Sequence, residues 1–340
     1  MIKQKQYIPD SIVHAGEILE EKIAEMGMSI KEFALRTEKP QQTILAVIKG
    51  ESAITNEMAL KFETVTQIPF SYWMSHQLKY DELKTRKKFK TAIKDAEPWA
   101  KKFPYTEMAK NYRLPETKKL EEKTQNLFHF FAIASHNAWE NLYLKSDLKT
   151  AAYASLKHTQ EPHAISAWLR QGEIQATKVA APKYDKAVFK GILPKIKKVM
   201  EEHPHDYFDQ LKALCLRAGV KLVFTPKLPK VPINGSTRWL NDTPLIQLTA
   251  RYRQNDKFWF TFFHEAGHIL LHGKKYISLE NIDFSEADQN KEQEAHRFAE
   301  EWTFSKQLEK ELLKRESITI DDVLEFAKKD KTHPAMIIGR

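Results

Sequence analysis

KFWFTFFHEAGHILLHG, residues Lys257–Gly273, is the most informative segment of this 340-residue chain. Its strong apolar periodicity predicts a single helix. On that helix His264 and His268 are four residues apart and project from one face, so both imidazoles can reach one ion. Glu265 adjoins them and can accept a proton from a water molecule. The spacing therefore predicts a zinc site of the kind found in peptidases, with Glu265 as the catalytic residue.

The short HEAGH pattern also occurs by chance, so its surroundings matter. Several aromatic residues precede it, and a histidine pair on such an apolar helix would bury two polar rings without partners unless they bound something. His272 extends the same face, but at the end of the helix it is expected to be a surface or supporting group rather than a ligand. The context favours the metal interpretation.

A catalytic zinc site needs a third protein ligand. KEQEAHRFAEEW, Lys291–Trp302, is again helical in pattern and offers Glu292 and Glu294. Glu292 is the preferred ligand because it shares a face with His296, which could hydrogen-bond a metal-binding histidine. In the alternative interpretation, both glutamates lie on the solvent-exposed face of an amphipathic helix and bind no metal.

The pattern of the C-terminal half predicts an α+β fold. KLVFT and PLIQLT are short β-branched and apolar runs, bounded by Pro and by Gly-Ser, and they indicate strands. Helical periodicity follows in three further segments. The predicted elements are strands Lys221–Thr225 and Pro244–Thr249 and helices Lys257–His272, Glu292–Leu308 and Asp321–Lys329.

Residues 205–340 resemble the ImmA/IrrE family of metallopeptidase-like proteins. The resemblance lies in GSTRWLNDTPLIQLTARYRQNDKFWFTFFHEAGHILLH (Gly235–His272) and EQEAHRFAEEW (Glu292–Trp302). It implies a gluzincin-like domain that binds Zn²⁺. The family's second motif, E-x-x-A-N-x-F-A, puts Glu292 at the ligand position, and His296 stands where the family has Asn.

The N-terminal segment has the rhythm of a bundle of short helices. Helices are predicted at about Ala15–Met26, 31–37, Pro40–Lys49 and Asn56–Val65. Ser29, with a glutamate three residues later, indicates a capping box before the second helix. Two short helices joined by a three-residue turn allow the second to lie in a DNA major groove. The alternative is a small helical bundle that contacts protein.

The third predicted helix supplies the candidate DNA-reading side chains. Gln41, Gln42 and Thr43 are its leading exposed residues, and Lys39 and Lys49 lie beside the expected phosphate backbone. Glutamine can read adenine with two hydrogen bonds, and lysine neutralises phosphate. The sequence therefore predicts a double-stranded DNA operator as a partner.

HAGEILEEKIAEMGMSIKEFALRTEKPQQTILAVIKGESAITNEMALKFETVTQIPFSYW, His14–Trp73, resembles the HigA-type antitoxins of the Xre helix-turn-helix family. The shared pieces are H-x-G-E-x-L, S-x-K-E-x-A and the I-x-G turn. The resemblance covers residues 8–80 and implies a homodimeric, operator-binding regulator, with a toxin as a further candidate partner.

The N-terminal 80 residues have no basic surplus of their own, whereas KTRKKFKTAIK (Lys84–Lys94) follows directly. This run either contacts DNA phosphates or forms a solvated face. The clustered prolines that come next indicate a domain boundary.

The whole chain is expected to have mainly α N-terminal and middle parts and an α+β C-terminal domain. Three segments are predicted: a helix-turn-helix domain at 8–80, a helical linker region at 85–204 and the gluzincin-like domain at 205–340. The net charge of +9 favours an anionic partner. Cys215 is the only cysteine, which excludes an internal disulfide, and no run of about 18 apolar residues occurs. A cytoplasmic protein with no membrane association is expected.

Two functions remain open from the sequence. One is a transcriptional regulator whose metallopeptidase-like domain cleaves a regulatory protein in a stress or mobile-element response. The other is a HigA-like antitoxin and autorepressor whose metal site is structural or inactive. A broad digestive protease is disfavoured because it would not carry an attached DNA reader.

Overall fold

The computed structural model describes residues 13–145, 161–249, 255–275 and 286–340. The chain divides into two units, residues 1–95 and 96–340. Most of the described residues are helical, with a small sheet in the second unit. No helix in these ranges is both long and apolar enough to cross a membrane. The expected combination of mainly α and α+β parts is confirmed.

Between residues 13 and 95, the first unit is a bundle of five helices whose ends follow local capping signals. The Ser29 hydroxyl accepts from the amide of Glu32, and the Thr55 hydroxyl accepts from the amide of Met58. Gly50 ends the third helix at φ +70°, a backbone conformation that glycine tolerates. The helices are α1 (Ala15–Glu25), α2 (Ile30–Arg36), α3 (Gln41–Ile48), α4 (Asn56–Thr66) and α5 (Phe70–Asp95).

Two details of this unit differ from the sequence-based expectation. The capping box at Ser29 is one-sided, because the carboxylate of Glu32 pairs with Arg36 one turn later at 2.8 Å. The helix α5 does not end near residue 80, where the predicted helix-turn-helix segment ends, but continues through the run Lys84–Lys94 to Asp95. Its lysines and arginine are good helix formers, and the prolines that end the helical pattern come only after it.

A single apolar core holds the first unit together. Phe33, Phe62 and Trp73 are fully buried. The ring centre of Phe62 lies 5.3 Å from that of Phe33 and 5.9 Å from that of Trp73. Helix α1 packs closely on α3, where an added Cβ at Gly16 would lie 1.8 Å from the carbonyl oxygen of Val47. Glycine in the H-x-G-E piece is thus required by the approach of two helices.

The second unit opens with helices gathered around an aromatic cluster. Trp139 is fully buried, and its ring lies 5.9 Å from Trp99 and 5.7 Å from Phe103. These helices pack on the C-terminal half, where the Tyr112 hydroxyl donates to the carbonyl of Pro226 at 3.0 Å. The helices are α6 (Glu97–Ala100), α7 (Tyr105–Tyr112), α8 (Leu120–Phe131), α9 (His136–Glu140), α10 (Pro162–Thr177), α11 (Lys186–Glu202) and α12 (Tyr207–Arg217), with a π-helical turn at Asn141–Lys145.

The described part of the sheet has three strands, β1 (Lys221–Thr225), β2 (Gly235–Leu240) and β3 (Thr243–Thr249), in the order β1-β3-β2. β1 runs parallel to β3, and β2 forms a hairpin with β3. The two predicted strands are confirmed, but β2 was taken for a boundary because of its Gly-Ser pair. That glycine opens a strand because a helix approaches it closely.

The last five helices are α13 (Asn255–Leu271), α14 (Glu286–Thr303), α15 (Lys306–Leu312), α16 (Ile320–Asp330) and α17 (Pro334–Ile338), and a 3₁₀ turn at Gly273–Lys275 follows α13. The single helix expected over Glu292–Leu308 is in fact two. Ser305 adopts an extended backbone and begins α15. The Thr332 hydroxyl, between α16 and α17, donates to the backbone carbonyl of Thr303 at 2.6 Å. This bond gives a partner to one of the last carbonyls of α14.

Candidate functional site

Three side chains from two helices converge at one point of the second unit. His264 and His268 come from α13, and Glu292 comes from α14. One ligand atom from each residue lies within 4.8 Å of the others. Among the residues that the structure describes, this is the group of His, Cys, Asp and Glu side chains that can hold a metal ion.

The spacing of the donor atoms fits a small divalent ion. The Nε2 atoms of His264 and His268 are 3.0 Å apart, and the Glu292 carboxylate lies 3.0 Å from the first and 3.3 Å from the second. Ligands about 2.0–2.2 Å from a tetrahedral zinc ion are separated by about 3.3 Å. Two imidazoles and a carboxylate are also a common donor set of catalytic zinc sites.

Burial and hydrogen bonding set the charge of these groups. Burial lowers the pKa of His268 to about 4, so its imidazole is neutral at pH 7, the form that binds metals. Burial by itself would raise the pKa of Glu292, but its contacts with the imidazoles of His264 and His268 outweigh burial and hold that pKa well below its usual range. At pH 7 the site therefore contains a neutral His268 imidazole and an ionised Glu292 carboxylate.

Glu265, the expected general base, is completely buried between α13 and β2. An added Cβ at Gly235 would lie only 2.8 Å from its Oε1 atom, so glycine leaves the space that this carboxylate uses. The Thr237 hydroxyl donates to the Glu265 backbone carbonyl at 3.0 Å. β2 thus positions Glu265.

A cavity of about 540 Å³ lies against the converging residues. His264 and Glu292 form part of its wall, so the cavity borders two of the three converging residues. Its other lining residues are Phe260, Gln293, His296, Arg297, Glu300 and Lys306.

The two candidate glutamates have different surroundings. Glu292 contacts both histidines of the HEAGH segment, whereas Glu294 pairs with His272 at 2.9 Å. His272 in turn lies 3.0 Å from His268 through their Nδ1 atoms. The geometry therefore favours Glu292 over Glu294 as the ligand, and it gives His272 a place beside the site.

His296 does not take the supporting position expected for it. Its ring packs edge-on against Phe260 at 4.9 Å, and its Nε2 atom lies 3.6 Å from Glu300. The ring centres of His296 and His264 are 6.5 Å apart. Glu292, one turn earlier on α14, contacts both rings of the histidine pair, whereas His296 lies beside Phe260 and Glu300.

In the sequence, Arg238 and Tyr252 flank the predicted strand Pro244–Thr249, and either could stabilise an oxyanion at the site. The Arg238 guanidinium donates to the Leu169 carbonyl at 2.6 Å and to the Gln247 side chain at 2.8 Å, so it joins α10 to the sheet. Tyr252 lies outside the described residues.

The expected DNA-reading residues cluster at the start of α3. Gln41 and Gln42 are exposed, Thr43 is half-buried, and Lys49 is exposed at the other end of the helix. Lys39 differs from the expectation, because it is half-buried in an ion pair with Glu57 at 2.8 Å. Its charge is thus partly used within the domain.

Comparison with known protein families identifies a domain in each unit. A helix-turn-helix family matches residues 19–73, and the IrrE N-terminal-like domain, Peptidase_M78, matches residues 215–329. An uncharacterised HTH-type transcriptional regulator, YddM of Escherichia coli (strain K12), is 32% identical over 62 residues. That match spans 18% of this chain and 66% of YddM, just under two thirds of its length.

Solved structures similar to this chain match about a quarter of it. An addiction module antidote protein of a HigA family from Coxiella burnetii is 27% identical, with a TM-score of 0.23, and covers 24% of this chain and 91% of its own. A Pseudomonas aeruginosa protein in complex with its 18-bp operator DNA is 22% identical, with a TM-score of 0.22, and covers 22% and 82%.

The two family matches coincide with the two features described above, the short helices around α3 and the HEAGH helix with its partner α14. The chain therefore joins an Xre-type helix-turn-helix DNA-binding domain to a metallopeptidase-like domain of the IrrE family, Peptidase_M78.

Proposed function

We propose that the C-terminal half of this helix-turn-helix regulator is a zinc-dependent peptidase that cleaves a regulatory protein in a stress or mobile-element response. The observation that carries the proposal is the convergence of His264, His268 and Glu292 at one point, with Glu265 next to His264 on the same helix. Buried imidazoles and a carboxylate at ligand spacing are costly to assemble unless they bind an ion.

Each residue has a distinct part in the proposed reaction. His264, His268 and Glu292 would hold the ion, which supplies Lewis acidity to a peptide carbonyl and to water. Glu265 accepts the proton of the attacking water as the carbon–oxygen bond forms. It then returns the proton to the leaving nitrogen as the carbon–nitrogen bond breaks. The strand β2 lies at an edge of the described sheet, a place where an extended peptide can add.

DNA binding by the first unit would bring this activity to an operator. We assign sequence reading to Gln41, Gln42 and Thr43 and phosphate contact to Lys49. Lys39, which lies just before α3 and pairs with Glu57, is assigned a second phosphate contact. A homodimer matches the two half-sites of a typical helix-turn-helix operator.

The second candidate is a HigA-like antitoxin and autorepressor, with a possible toxin partner, in which the metal site is structural. The complete burial of Glu265 favours it, because a general base must come within hydrogen-bond reach of its water. The two candidates make opposite predictions for one substitution.

The deciding experiment replaces Glu265 with Gln and measures cleavage of purified proteins encoded beside this chain's gene. We expect Glu265→Gln to keep its zinc content and to lose cleavage by about 10²–10⁴-fold, the usual contribution of a general base. Glu301→Gln is the matched control, because Glu301 is exposed on α14 and loses the same charge. If no cleavage depends on Glu265, the peptidase proposal is wrong and the antitoxin-like candidate stands.

A further inference from the structure

His272 and Glu294 form a chain of hydrogen bonds that leads away from the metal-binding face of His268. We propose that this chain fixes the proton of His268 on Nδ1 and thereby makes His268 a permanently oriented metal ligand. The inference rests on the proposed metal site and adds two positioning residues to it. Neither of them would touch the ion.

The geometry is continuous from the buried ligand to the surface. The Nδ1 atoms of His268 and His272 are 3.0 Å apart, and Nε2 of His272 lies 2.9 Å from a carboxylate oxygen of Glu294. The His272 side chain is 5% exposed, whereas that of Glu294 is 58% exposed. These hydrogen bonds therefore connect the buried imidazole of His268 to the solvent-exposed carboxylate of Glu294.

The proton positions follow from the donor set. Nε2 of His268 faces both Nε2 of His264 and the Glu292 carboxylate, so it needs its lone pair on that side to bind an ion. Its proton must then be on Nδ1, and this N–H donates to Nδ1 of His272. His272 accepts there, carries its own proton on Nε2 and donates to the Glu294 carboxylate, which only accepts. In this arrangement, each contact between His268, His272 and Glu294 pairs one donor with one acceptor.

The same contacts argue against His272 as a fourth ligand. Both of its ring nitrogens are engaged, one with His268 and one with Glu294. The group whose donor atoms converge consists of His264, His268 and Glu292. A histidine that ligates a metal usually donates its other N–H to a carboxylate or carbonyl. Here a second histidine stands between the ligand and its carboxylate.

The first test is the zinc affinity of the full-length chain, measured by competition with a chromophoric chelator. We expect His272→Asn to weaken zinc binding by about 10–100-fold, the usual effect of losing a group that supports a ligand. His205→Asn is the matched control, because His205 is exposed on the same unit, and it should bind zinc as the wild type does. Circular dichroism shows whether each variant is folded.

The second test separates hydrogen bonding from packing. Glu294→Gln keeps an oxygen that accepts from His272, so it should weaken zinc binding less than Glu294→Ala does. Glu301→Gln controls for the lost charge on the same helix. In the zinc-free wild type, histidine ¹⁵N NMR shifts should show the proton of His268 on Nδ1. A merely structural role for His272 would leave that signature unchanged in His272→Asn.

Two results would overturn the inference, and they differ. If a folded His272→Asn variant binds zinc within twofold of wild type, the metal site remains supported, but His272 and Glu294 do not orient His268. If the wild-type chain binds neither zinc nor cobalt, both the positioning role of His272 and Glu294 and the proposed function are wrong.

Discussion

At the scale of single residues, the space around Glu265 depends on Gly235. An added Cβ at residue 235 would lie 2.8 Å from Oε1 of Glu265 and 2.6 Å from a methyl carbon of Thr261. Both atoms belong to the buried face of α13, so neither can move into solvent. The Glu265 carboxylate can therefore occupy its place only if residue 235 has no side chain.

We expect Gly235→Ala to displace the Glu265 carboxylate and to lower the free energy of unfolding by about 1–3 kcal/mol, as overpacking of a core does. Cleavage should fall by more than tenfold, while zinc affinity stays near the wild-type value because the three ligands lie elsewhere on α13 and α14. Chemical denaturation, a cleavage assay and chelator competition measure the three quantities.

The matched control is Gly191→Ala, where no atom lies within 4 Å of the added Cβ and the residue is in a helix. This substitution should be neutral or slightly stabilising. If Gly235→Ala behaved in the same way, the close approach of β2 to Glu265 would not constrain the site.

At the scale of elements, we propose that α3 and α5 divide the requirements of DNA binding between them. Helix α3 presents the uncharged Gln41 and Gln42, which can read bases but cannot neutralise phosphate. The stretch Lys84–Lys94 of α5 carries six basic residues (Lys84, Arg86, Lys87, Lys88, Lys90 and Lys94) and no acidic one, and all six are exposed.

The two helices should respond differently to substitution. Replacing Gln41 and Gln42 with Ala should reduce the preference for the operator over random duplex DNA and leave the salt dependence unchanged. Replacing Lys87, Lys88 and Lys90 with Ala should weaken binding to both DNAs. If all three contact phosphate, it should reduce the slope of log K against log salt by up to about 2.7, at 0.9 per phosphate contact.

Fluorescence anisotropy over a range of salt concentrations provides both quantities. Replacing the exposed Lys186, Lys190 and Lys195 of α11 with Ala removes the same charge from the other unit. If this control and the α5 variant gave equal slopes, the basic run would be a solvated face.

At the scale of the whole molecule, a buried histidine links the stability of the second unit to pH. His163 stacks on Trp139 at 4.5 Å and meets Phe103 edge-on at 4.9 Å. Burial, with a smaller effect of the Lys102 charge, lowers the pKa of His163 to about 4 from its model-compound value of 6.5. The folded chain therefore holds this ring neutral where the unfolded chain would protonate it.

Because the folded pKa is depressed, the stabilisation is complete above pH 6.5 and is lost as the pH falls through the folded value near 4. The full loss is about 3 kcal/mol, and about 2 kcal/mol of it is lost by pH 5. His163→Phe keeps an aromatic ring but cannot titrate. Between pH 7.5 and pH 5, its free energy of unfolding should fall by about 2 kcal/mol less than that of the wild type.

Urea denaturation at the two pH values measures this difference, and other buried histidines affect both proteins alike. The exposed His129 of α8 supplies the control, because His129→Phe should follow the pH dependence of the wild type. An equal loss in His163→Phe and the wild type would mean that His163 is not held neutral by the fold.

Local features of the chain could be predicted because their causes lie within a few residues. Helix ends at Ser29, Thr55 and Gly50 follow from capping and backbone conformation. The shared face of His264 and His268 follows from the helical repeat alone. The sequence by itself therefore determined the helix-turn-helix rhythm, the histidine pair and the two domain types.

Contacts between distant segments were decided only in the tertiary structure. Helix α14 crosses α13 where Gly267 lies close to Ala295, and this crossing sets which carboxylate reaches the histidines. Glu292 thereby meets the pair, while Glu294 meets His272 and His296 lies beyond it. A helical pattern specifies which residues share a face. The approach of another helix, which depends on packing over the whole domain, specifies what that face meets.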